Sequence, residues 1–217
     1  IASQRFTALV YGASGIGKTS LAKTVEGKVL IVSAESGLLC LSGCDIDVIE
    51  ISNWVELYEL VDYLNTDEAK QKYSWIFVDS LTELSQRLIE TLKKQYADPK
   101  LSLKMWGEFS DKIISFVKTF RDFKPYNVVV TALEKFDKDE SNRRFCNIDV
   151  SGKASEKLPG LFDIVLKMDF IEDEEGARAR VLYTQSTKNF IAKDRSGKLL
   201  PIEEPNLSKI AGKILNN

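Results

Sequence analysis

Short apolar runs and longer helical patterns alternate along the chain. Runs rich in β-branched and aromatic residues, which are typical of buried strands, predict strands at residues 6–11, 29–33, 48–51, 75–78 and 127–131. Between them, apolar residues recur every three or four positions, and this period predicts amphipathic helices at residues 54–64, 81–96 and 109–123. Because strands apolar on both faces alternate with helices, the pattern favours β-α units in a largely parallel sheet.

The last third of the chain follows a different pattern. Residues 134–157 are polar, carry charges of both signs and look like the least ordered segment. Two β-rich runs, 162–171 and 179–184, flank a loop that suits a hairpin, so antiparallel strands are expected at the late edge of the sheet. Residues 207–215 are predicted as a short terminal helix. With no repeat or interdomain linker, we predict one α/β domain over residues 1–217, in which helices flank a mostly parallel central sheet.

Composition narrows the classes of function. Hydrophobic residues make up 44% and charged residues 29% of the 217 residues, as in ordinary globular proteins. The absence of histidine excludes Ser-His-Asp, Cys-His and zinc-hydrolase mechanisms, which all need an imidazole. Three cysteines without paired spacing do not predict a structural zinc site. At a formal net charge of −2, binding to nucleic acid would need a locally basic surface.

Hydropathy also bears on location. The sequence contains no run of about 18 apolar residues and no basic segment followed by an apolar one at its N-terminal end. We therefore expect a cytoplasmic protein without a membrane partner.

The strongest motif lies between the first predicted strand and a helix predicted at residues 19–25. Residues 12–19, GASGIGKT, match the pattern G-x-x-x-x-G-K-[ST] in full. Its glycines let backbone N–H groups surround an anion, Lys18 is suited to neutralise β- and γ-phosphates, and the Thr19 hydroxyl is suited to bind Mg²⁺. The sequence thus predicts a site for a magnesium nucleoside triphosphate, most simply ATP. Its residues are Gly12, Ala13, Ser14, Gly15, Ile16, Gly17, Lys18, Thr19 and Ser20.

A carboxylate at the end of another strand completes the predicted magnesium site. Asp79 directly follows the apolar run at residues 75–78 and is predicted to hold Mg²⁺ together with Thr19, directly or through water. The alternative is that Asp79 only caps the helix that begins near Leu81.

The order of these motifs resembles the RecA-like ATPases. A P-loop is followed by a strand ending in Ala34-Glu35, an apolar strand ending in Asp79-Ser80, and a strand ending in Thr131. The chain looks most like the compact phage-encoded branch of that family, the Sak-four-type proteins, some of which are linked to single-strand annealing and recombination. The resemblance extends from residue 6 to about residue 198. It implies a RecA-like P-loop NTPase fold, ATPase activity and, for a phage protein, the host cytoplasm.

The same resemblance implies roles for residues outside the P-loop. Glu35 corresponds to the catalytic acid that polarises the attacking water, with a solvated loop glutamate as the alternative. Thr131 stands where the family has a γ-phosphate sensor, often glutamine. Lys193 and Arg195 resemble a K-x-R element that related ring and filament ATPases insert into a neighbouring site, although two basic residues in a turn are also typical of a solvated surface. This element implies a homo-oligomer, either a ring or a filament.

The resemblance also implies single-stranded DNA as a partner, and with it a single-strand DNA-binding protein. Basic residues interleaved with aromatic ones suit phosphates and stacked bases. However, residues 134–157 contain six basic and six acidic side chains, so a solvated mobile loop is an equal alternative there. The candidate DNA-binding residues are Lys104, Trp106, Arg143, Arg144, Phe145 and Lys153.

Three hypotheses for function remain at this point. The first is a RecA-like ATPase that acts on single-stranded DNA in recombination or annealing and couples hydrolysis to assembly. The second is a nucleotide-dependent switch that recruits a replication or packaging protein without contacting DNA. The third, a small-molecule phosphotransferase, has no recognisable substrate lid to support it.

Overall fold

The computed structural model describes residues 5–35, 37–97, 100–138 and 142–215. The strands in these residues are β1 Thr7–Gly12, β2 Val29–Ser33, β3 Ile46–Glu50, β4 Trp75–Asp79, β5 Asn127–Lys138, β6 Arg144–Ile148, β7 Ile164–Glu172, β8 Arg178–Tyr183, β9 Lys193–Asp194 and β10 Ile202–Glu203. The α-helices are α1 Glu56–Leu64, α2 Asp67–Lys72, α3 Leu81–Tyr96, α4 Leu103–Asp122, α5 Ala154–Leu161 and α6 Leu207–Leu215. Two 3-10 helices, Thr19–Thr24 and Leu38–Leu41, follow β1 and β2.

The strands form one sheet with the order β10-β8-β7-β1-β5-β4-β2-β3. The six strands from β7 to β3 in this order run parallel. At the late edge, β8 pairs antiparallel with β7 and β10 pairs antiparallel with β8, while β6 and β9 pair antiparallel with β5 and β7 outside this order. The predicted α/β fold with a mostly parallel sheet and an antiparallel late edge is therefore confirmed. Because parallel strands end at the same edge, the carboxyl ends of β1, β2, β4 and β5 meet there, where ligands bind in open α/β sheets.

Apolar side chains cover both faces of the sheet. In β4, Ile76 and Val78 belong to the core cluster on one face, and Trp75 and Phe77 belong to the cluster on the other. The alternation follows from the two-residue period of a strand. Helices α1, α3, α4 and α5 pack on the first face; the Thr19–Thr24 helix and α6 pack on the second. Within the described part of the chain, no helix is both long and apolar enough to cross a bilayer.

Helix α3 begins directly after β4, and its start is fixed by a serine. Ser80 is the N-cap residue, and its hydroxyl accepts a hydrogen bond from the Glu83 amide at 3.4 Å. The alternative in which Asp79 serves as the cap is therefore wrong. Asp79 remains the last residue of β4, with its carboxylate free to meet groups from neighbouring strands. The Asp79–Ser80 peptide bond is cis.

The structure differs from the sequence prediction in two segments near the site. The predicted helix at residues 19–25 is the 3-10 helix Thr19–Thr24. The prediction that residues 134–157 are poorly ordered is wrong for the described residues there: β5 continues to Lys138, β6 pairs with it, and α5 follows. The reason is that this segment finds its partners elsewhere in the chain; the Cys146 amide, for example, donates to the Asn189 carbonyl at 2.6 Å.

Candidate active site

The loop that follows β1 packs tightly against the sheet at one end and is open at the other. Gly12 is buried, and a Cβ atom there would lie only 2.5 Å from the Met168 carbonyl oxygen of β7. Ala13, Ser14 and Gly15 are exposed, whereas Ile16 anchors the loop in the core below. Gly17 has a φ of +109°, in the region that favours glycine. The loop therefore has a fixed base and an accessible rim.

The ammonium group of Lys18 lies inside this loop. It donates to the carbonyl oxygens of Gly12 at 3.0 Å and Ala13 at 2.8 Å, and the residue is only 8% exposed. Burial lowers the pKa of Lys18, and the nearby charges of Asp79 and Glu35 oppose that shift in part. Because a buried ammonium group lacks solvation, a phosphate beside it would stabilise the charged form. The geometry thus fits an anionic ligand held by the loop.

Thr19, Asp79 and Thr131 form a hydrogen-bonded group beside Lys18. The Thr19 hydroxyl donates to Asp79 Oδ2 at 2.6 Å, and the Thr131 hydroxyl donates to Asp79 Oδ1 at 2.5 Å. Thr131 is fully buried and Asp79 is 4% exposed. In this arrangement Thr131 contacts Asp79, a contact that the predicted sensor role does not include. Its β5 position beside β4 fixes the carboxylate orientation.

These oxygens fit a magnesium ion. Mg²⁺ prefers hard oxygen ligands and usually combines one or two protein groups with phosphate oxygens and waters. The residues that would hold it are Thr19 and Asp79. No group of three or more acidic or cysteine side chains suited to a metal exists among the described residues, so a magnesium ion here would depend on phosphate ligands as well.

Glu35 lies next to this group, just beyond the end of β2. Its carboxylate Oε1 accepts a hydrogen bond from the Ser80 hydroxyl at 2.5 Å, while the Ser33 hydroxyl donates to the Glu35 carbonyl at 2.6 Å. The Ala34 amide donates to the Asp79 carbonyl at 3.0 Å, which extends the pairing of β2 with β4 up to this point. Glu35 itself therefore accepts two hydrogen bonds from serine hydroxyls, one at its carboxylate and one at its carbonyl.

Arg87 of α3 supports the same segment and was missed by the sequence analysis. Its guanidinium donates to the carbonyl oxygens of Ala34 at 3.0 Å and Ser52 at 3.1 Å. It thereby ties the chain after β2 to the chain after β3. The available signal was only a lone arginine on the helix that follows Asp79.

Lys193 and Arg195 lie away from this site. Lys193 belongs to β9, which pairs with the beginning of β7, where Ile164 stands opposite Asp194. Arg195 directly follows β9, and its amide donates to the Asp163 carbonyl at 3.1 Å. Ile164 pairs with Ala8 of β1, and Ala8 lies four residues, about 13 Å along the strand, before Gly12 at the start of the phosphate loop. Arg195 forms an ion pair with Asp163 at 2.9 Å, and Lys193 donates to the Pro159 carbonyl at 2.9 Å. Neither cation reaches the P-loop of its own chain.

Arg144 and Phe145 belong to a second region, which we call the β5–β6 ribbon (residues 134–138 and 144–148), and Arg143 directly precedes β6. Its surface includes an aromatic residue that the sequence analysis missed. Phe136 is 55% exposed, and the Arg144 guanidinium lies 4.0 Å from the centre of its ring. On this surface a cation and a ring face solvent together. No strand pattern marked Phe136 in advance, because residues 131–138, TALEKFDK, show no regular apolar alternation.

Arg143 and Phe145 also line a shallow groove of about 280 Å³ beside the ribbon. The other side of this groove is formed by residues that precede β9, namely Ser186, Thr187, Lys188, Phe190 and Ile191.

Lys104, Trp106 and Lys153 lie together in a third region, at the start of α4 and α5. Lys104 and Lys153 are exposed, and the Lys104 ammonium lies 5.6 Å from the centre of the Tyr96 ring. Trp106 packs edge-on against Phe109 at 5.6 Å, and its ring lies 3.3 Å from the position of a Cβ atom at Gly152. The indole thus belongs mainly to the packing between helices.

A buried ion pair connects the base of the ribbon with the strand beside the P-loop. Lys167 of β7 lies 2.6 Å from Glu134 Oε2 and 3.0 Å from Asp169 Oδ2. Burial alone would lower the pKa of Lys167, but its hydrogen bonds to Glu134 and Asp169 outweigh that effect and the pKa is raised. Burial also raises the pKa of the Cys146 thiol, which donates to Glu134, to about 12. Lys167 therefore stays charged and the Cys146 thiol stays neutral at ordinary pH.

Comparison with known proteins gives a family and distant structural likenesses. No protein with a curated description matches the chain. The ATPase of the type III secretion system of pathogenic bacteria is 14% identical, with a TM-score of 0.49 over 76% of this chain and 51% of that chain. The present chain thus spans about half of that ATPase. The flagellar accessory protein FlaH from Methanocaldococcus jannaschii is 12% identical, with a TM-score of 0.42 over 82% of this chain and 76% of that one.

The family match covers most of the sequence. A family model described as an AAA domain matches residues 4–196 of the 217 residues. The sheet order and the P-loop at the carboxyl end of β1 agree with a RecA-like P-loop NTPase fold, the fold of nucleotide-binding ATPases. The chain therefore belongs to the AAA domain family named AAA_24, whose model spans the phosphate loop, Glu35, Asp79 and Thr131.

Proposed function

We propose that this protein binds Mg-ATP and hydrolyses its terminal phosphoanhydride bond. One observation carries this proposal: the Thr19 hydroxyl and the Asp79 carboxylate lie 2.6 Å apart beside the buried ammonium group of Lys18. An ammonium group, a hydroxyl and a carboxylate at the end of a phosphate-binding loop are the groups that phosphoryl transfer needs in P-loop proteins.

Each of these groups has a role that follows from its chemistry. Lys18 would exchange its carbonyl partners for β- and γ-phosphate oxygens. A magnesium ion, when bound, would neutralise charge on the same phosphates. Glu35 would orient a water and accept its proton as the water oxygen attacks the γ-phosphorus and ADP leaves. The Ser80 hydroxyl keeps the Glu35 carboxylate in place for this.

We further propose that single-stranded DNA is the partner that controls hydrolysis. The exposed Phe136 ring with the Arg144 guanidinium over it supports this, because a ring that faces solvent can stack on a base while the cation meets a phosphate. Residues Arg143, Phe145, Lys104 and Lys153 would extend the contact. Together with the resemblance to Sak-four-type proteins, this favours a role in recombination or single-strand annealing beside a single-strand DNA-binding protein, with slow or DNA-stimulated turnover.

Assembly into a ring or filament is part of the same proposal. Arg195 is too far from the P-loop of its own chain to act there, so a role in phosphoryl transfer would require a neighbouring chain. To reach such a site it would have to leave Asp163, an ion pair in which both side chains are more than half exposed and therefore weakly held.

A second candidate function is a nucleotide-dependent switch that recruits a replication or packaging protein without binding DNA. The observation that favours it is the equal number of acidic and basic side chains in residues 134–157, which gives no net attraction for phosphates.

The experiment that tests these functions is ATP turnover with and without single-stranded DNA at low salt. We expect the Glu35→Gln variant to bind Mg-ATP nearly as tightly as wild type and to hydrolyse it about 100-fold or more slowly. The matched control is Glu90→Gln, which changes an exposed glutamate on α3 and should leave turnover unaltered. Normal hydrolysis by Glu35→Gln would overturn the role of Glu35.

The DNA arm has its own outcomes. Stimulation by DNA, with binding that weakens as salt rises, is the expected result. Hydrolysis that ignores DNA, combined with partner capture that depends on ATP, would instead favour the switch.

A further inference from the structure

The β7–β8 hairpin brings an arginine to the side of the P-loop. Phe170 of β7 stands opposite Arg180 of β8, two residues beyond the pair formed by Met168 and Leu182. A Cβ atom built on Gly17 would lie 3.5 Å from Arg180 Nε and 3.6 Å from its Cδ. The Arg180 side chain therefore lies against the phosphate loop.

The guanidinium N–H groups of Arg180 are available to donate hydrogen bonds to a ligand. Within the described residues its recorded contact is with the Phe170 ring, whose centre lies 5.7 Å from Cζ, and the residue is exposed. Arg178, on the same face of the hairpin, lies closer to that ring, at 4.5 Å, and also approaches Glu172 at 3.8 Å. Of the two arginines, Arg180 is the one beside the loop, and no carboxylate of the described part of the chain forms an ion pair with it.

The sheet order indicates which phosphates Arg180 can reach. Strand β1, which carries the loop, lies between β7 and β8 on one side and β5, β4 and β2 on the other. Asp79 ends β4 and Glu35 follows β2, so the metal and the attacking water belong to the far side from Arg180. The γ-phosphate must lie with them. What remains on the hairpin side, next to Gly17, is the inner part of the phosphate chain.

We propose, on the basis of the proposed nucleotide site, that Arg180 is a further binding residue for the nucleoside diphosphate moiety. Its guanidinium donates to α- or β-phosphate oxygens, from the side of the loop opposite to Asp79. Arginine suits this position because its planar fork donates two charge-assisted hydrogen bonds to a phosphate. The Phe170 ring lies nearby, with its centre 5.7 Å from Arg180 Cζ.

A contact with the inner phosphates has a definite kinetic signature. ATP and ADP share these groups, so removal of the contact weakens both ligands by the same factor. Because the interaction is equal in ground state and transition state, turnover at saturating ATP is unchanged while KM rises. A contact with the γ-phosphate would instead weaken ATP alone.

The test is calorimetric titration of wild type, Arg180→Ala and Arg178→Ala with Mg-ADP and with Mg-ATP. We expect Arg180→Ala to raise both dissociation constants by about 10-fold to 100-fold, the range for loss of a hydrogen bond to a charged group. Arg178→Ala removes the same charge from the same face and should stay within about twofold of wild type. Arg180→Lys, which keeps the charge but loses the fork, should lie between them.

Each other outcome overturns a defined statement. Equal ADP affinity in Arg180→Ala and wild type would overturn the inference and leave the proposed ATPase intact. A loss of ATP affinity alone would overturn the assignment to the inner phosphates. Absence of nucleotide binding by folded wild type would overturn the proposed function and this inference together. If Arg180→Ala has a lowered melting temperature, the dissociation constants of Arg180→Lys for Mg-ADP and Mg-ATP are compared with those of wild type instead. Equal ADP affinity then overturns the inference, and weaker binding of both nucleotides supports it.

Discussion

The phosphate loop and the β5–β6 ribbon are built in opposite ways. At the loop, Lys18 is held by the carbonyl oxygens of Gly12 and Ala13, and Asp79 is held by the hydroxyl groups of Thr19 and Thr131. In the ribbon, Phe136 and Arg144 stack on each other and face solvent. A site that must hold a small charged ligand is preorganised by buried contacts. A surface that suits a flexible chain of bases and phosphates needs only a stable pair of hydrogen-bonded strands beneath it, as β5 and β6 provide in the ribbon.

The largest effect is expected from Lys18→Ala. Loss of the ammonium group should weaken Mg-ATP binding at least 100-fold, about 3 kcal/mol or more, because a phosphate would lose its buried charge partner. Calorimetry measures this directly. Lys23→Ala, which changes an exposed lysine in the last turn of the same 3-10 helix, is the matched control and should bind normally. Retained affinity in Lys18→Ala would mean that the loop is not the nucleotide site.

A smaller effect is expected from Thr131→Val, which keeps the shape of the side chain but removes the hydroxyl that donates to Asp79. A metal-binding group that loses such support typically loses 10-fold to 100-fold in metal affinity. The Mg²⁺ concentration needed for half-maximal turnover should therefore rise by about that factor. Thr131→Ser restores the hydroxyl and should restore the wild-type value. If valine is tolerated with no change in magnesium dependence, the contact does not position Asp79 for the metal.

The smallest effect concerns the ribbon. Phe136→Ala should weaken binding of single-stranded DNA about tenfold, in keeping with 1–3 kcal/mol for one stacked base. Since the ring is 55% exposed, the melting temperature should change little. Tyr58→Ala removes an equally exposed ring on α1 and is the matched control for DNA binding. Identical DNA affinity in the two variants would remove the ribbon from the proposed interface.

The sequence predicted the loop better than the ribbon, for a physical reason. The P-loop is contiguous, and Asp79 stands at the end of an apolar run that shows even without its neighbours. β6 becomes a strand only because β5 and Asn189 pair with it. Arg143, just before β6, and Arg144, its first residue, give no apolar alternation to reveal this. The many charged residues of segment 134–157 correctly indicated a surface that includes exposed side chains. They wrongly indicated that the segment lacks regular structure.

Contacts between distant segments explain the remaining differences. The approach of Arg180 to Gly17 depends on how β8 pairs with β7 and β7 with β1, which no local pattern encodes. β3 was predicted as apolar on both faces, yet it is the edge strand of the sheet and is half exposed. The residues of a strand do not determine its position in the sheet order, so this exposure could not be predicted from them. Helix α4 begins at Leu103, ahead of the periodic apolar residues, and the local signal for that start is its N-cap, Ser102.

Strand β5 runs without interruption from the interior of the sheet to the ribbon. Thr131, which holds Asp79, and Phe136, which faces solvent, are on this one strand, about 16 Å apart along its axis. Every residue from Asn127 to Lys138 pairs with β1, β4 or β6, so no slack exists between the two points. Phe136 and the hydroxyl that orients Asp79 are therefore joined by fully paired backbone. Thermodynamic reciprocity then requires that whatever factor a bound strand of bases imposes on nucleotide affinity, the nucleotide imposes on the affinity for that strand.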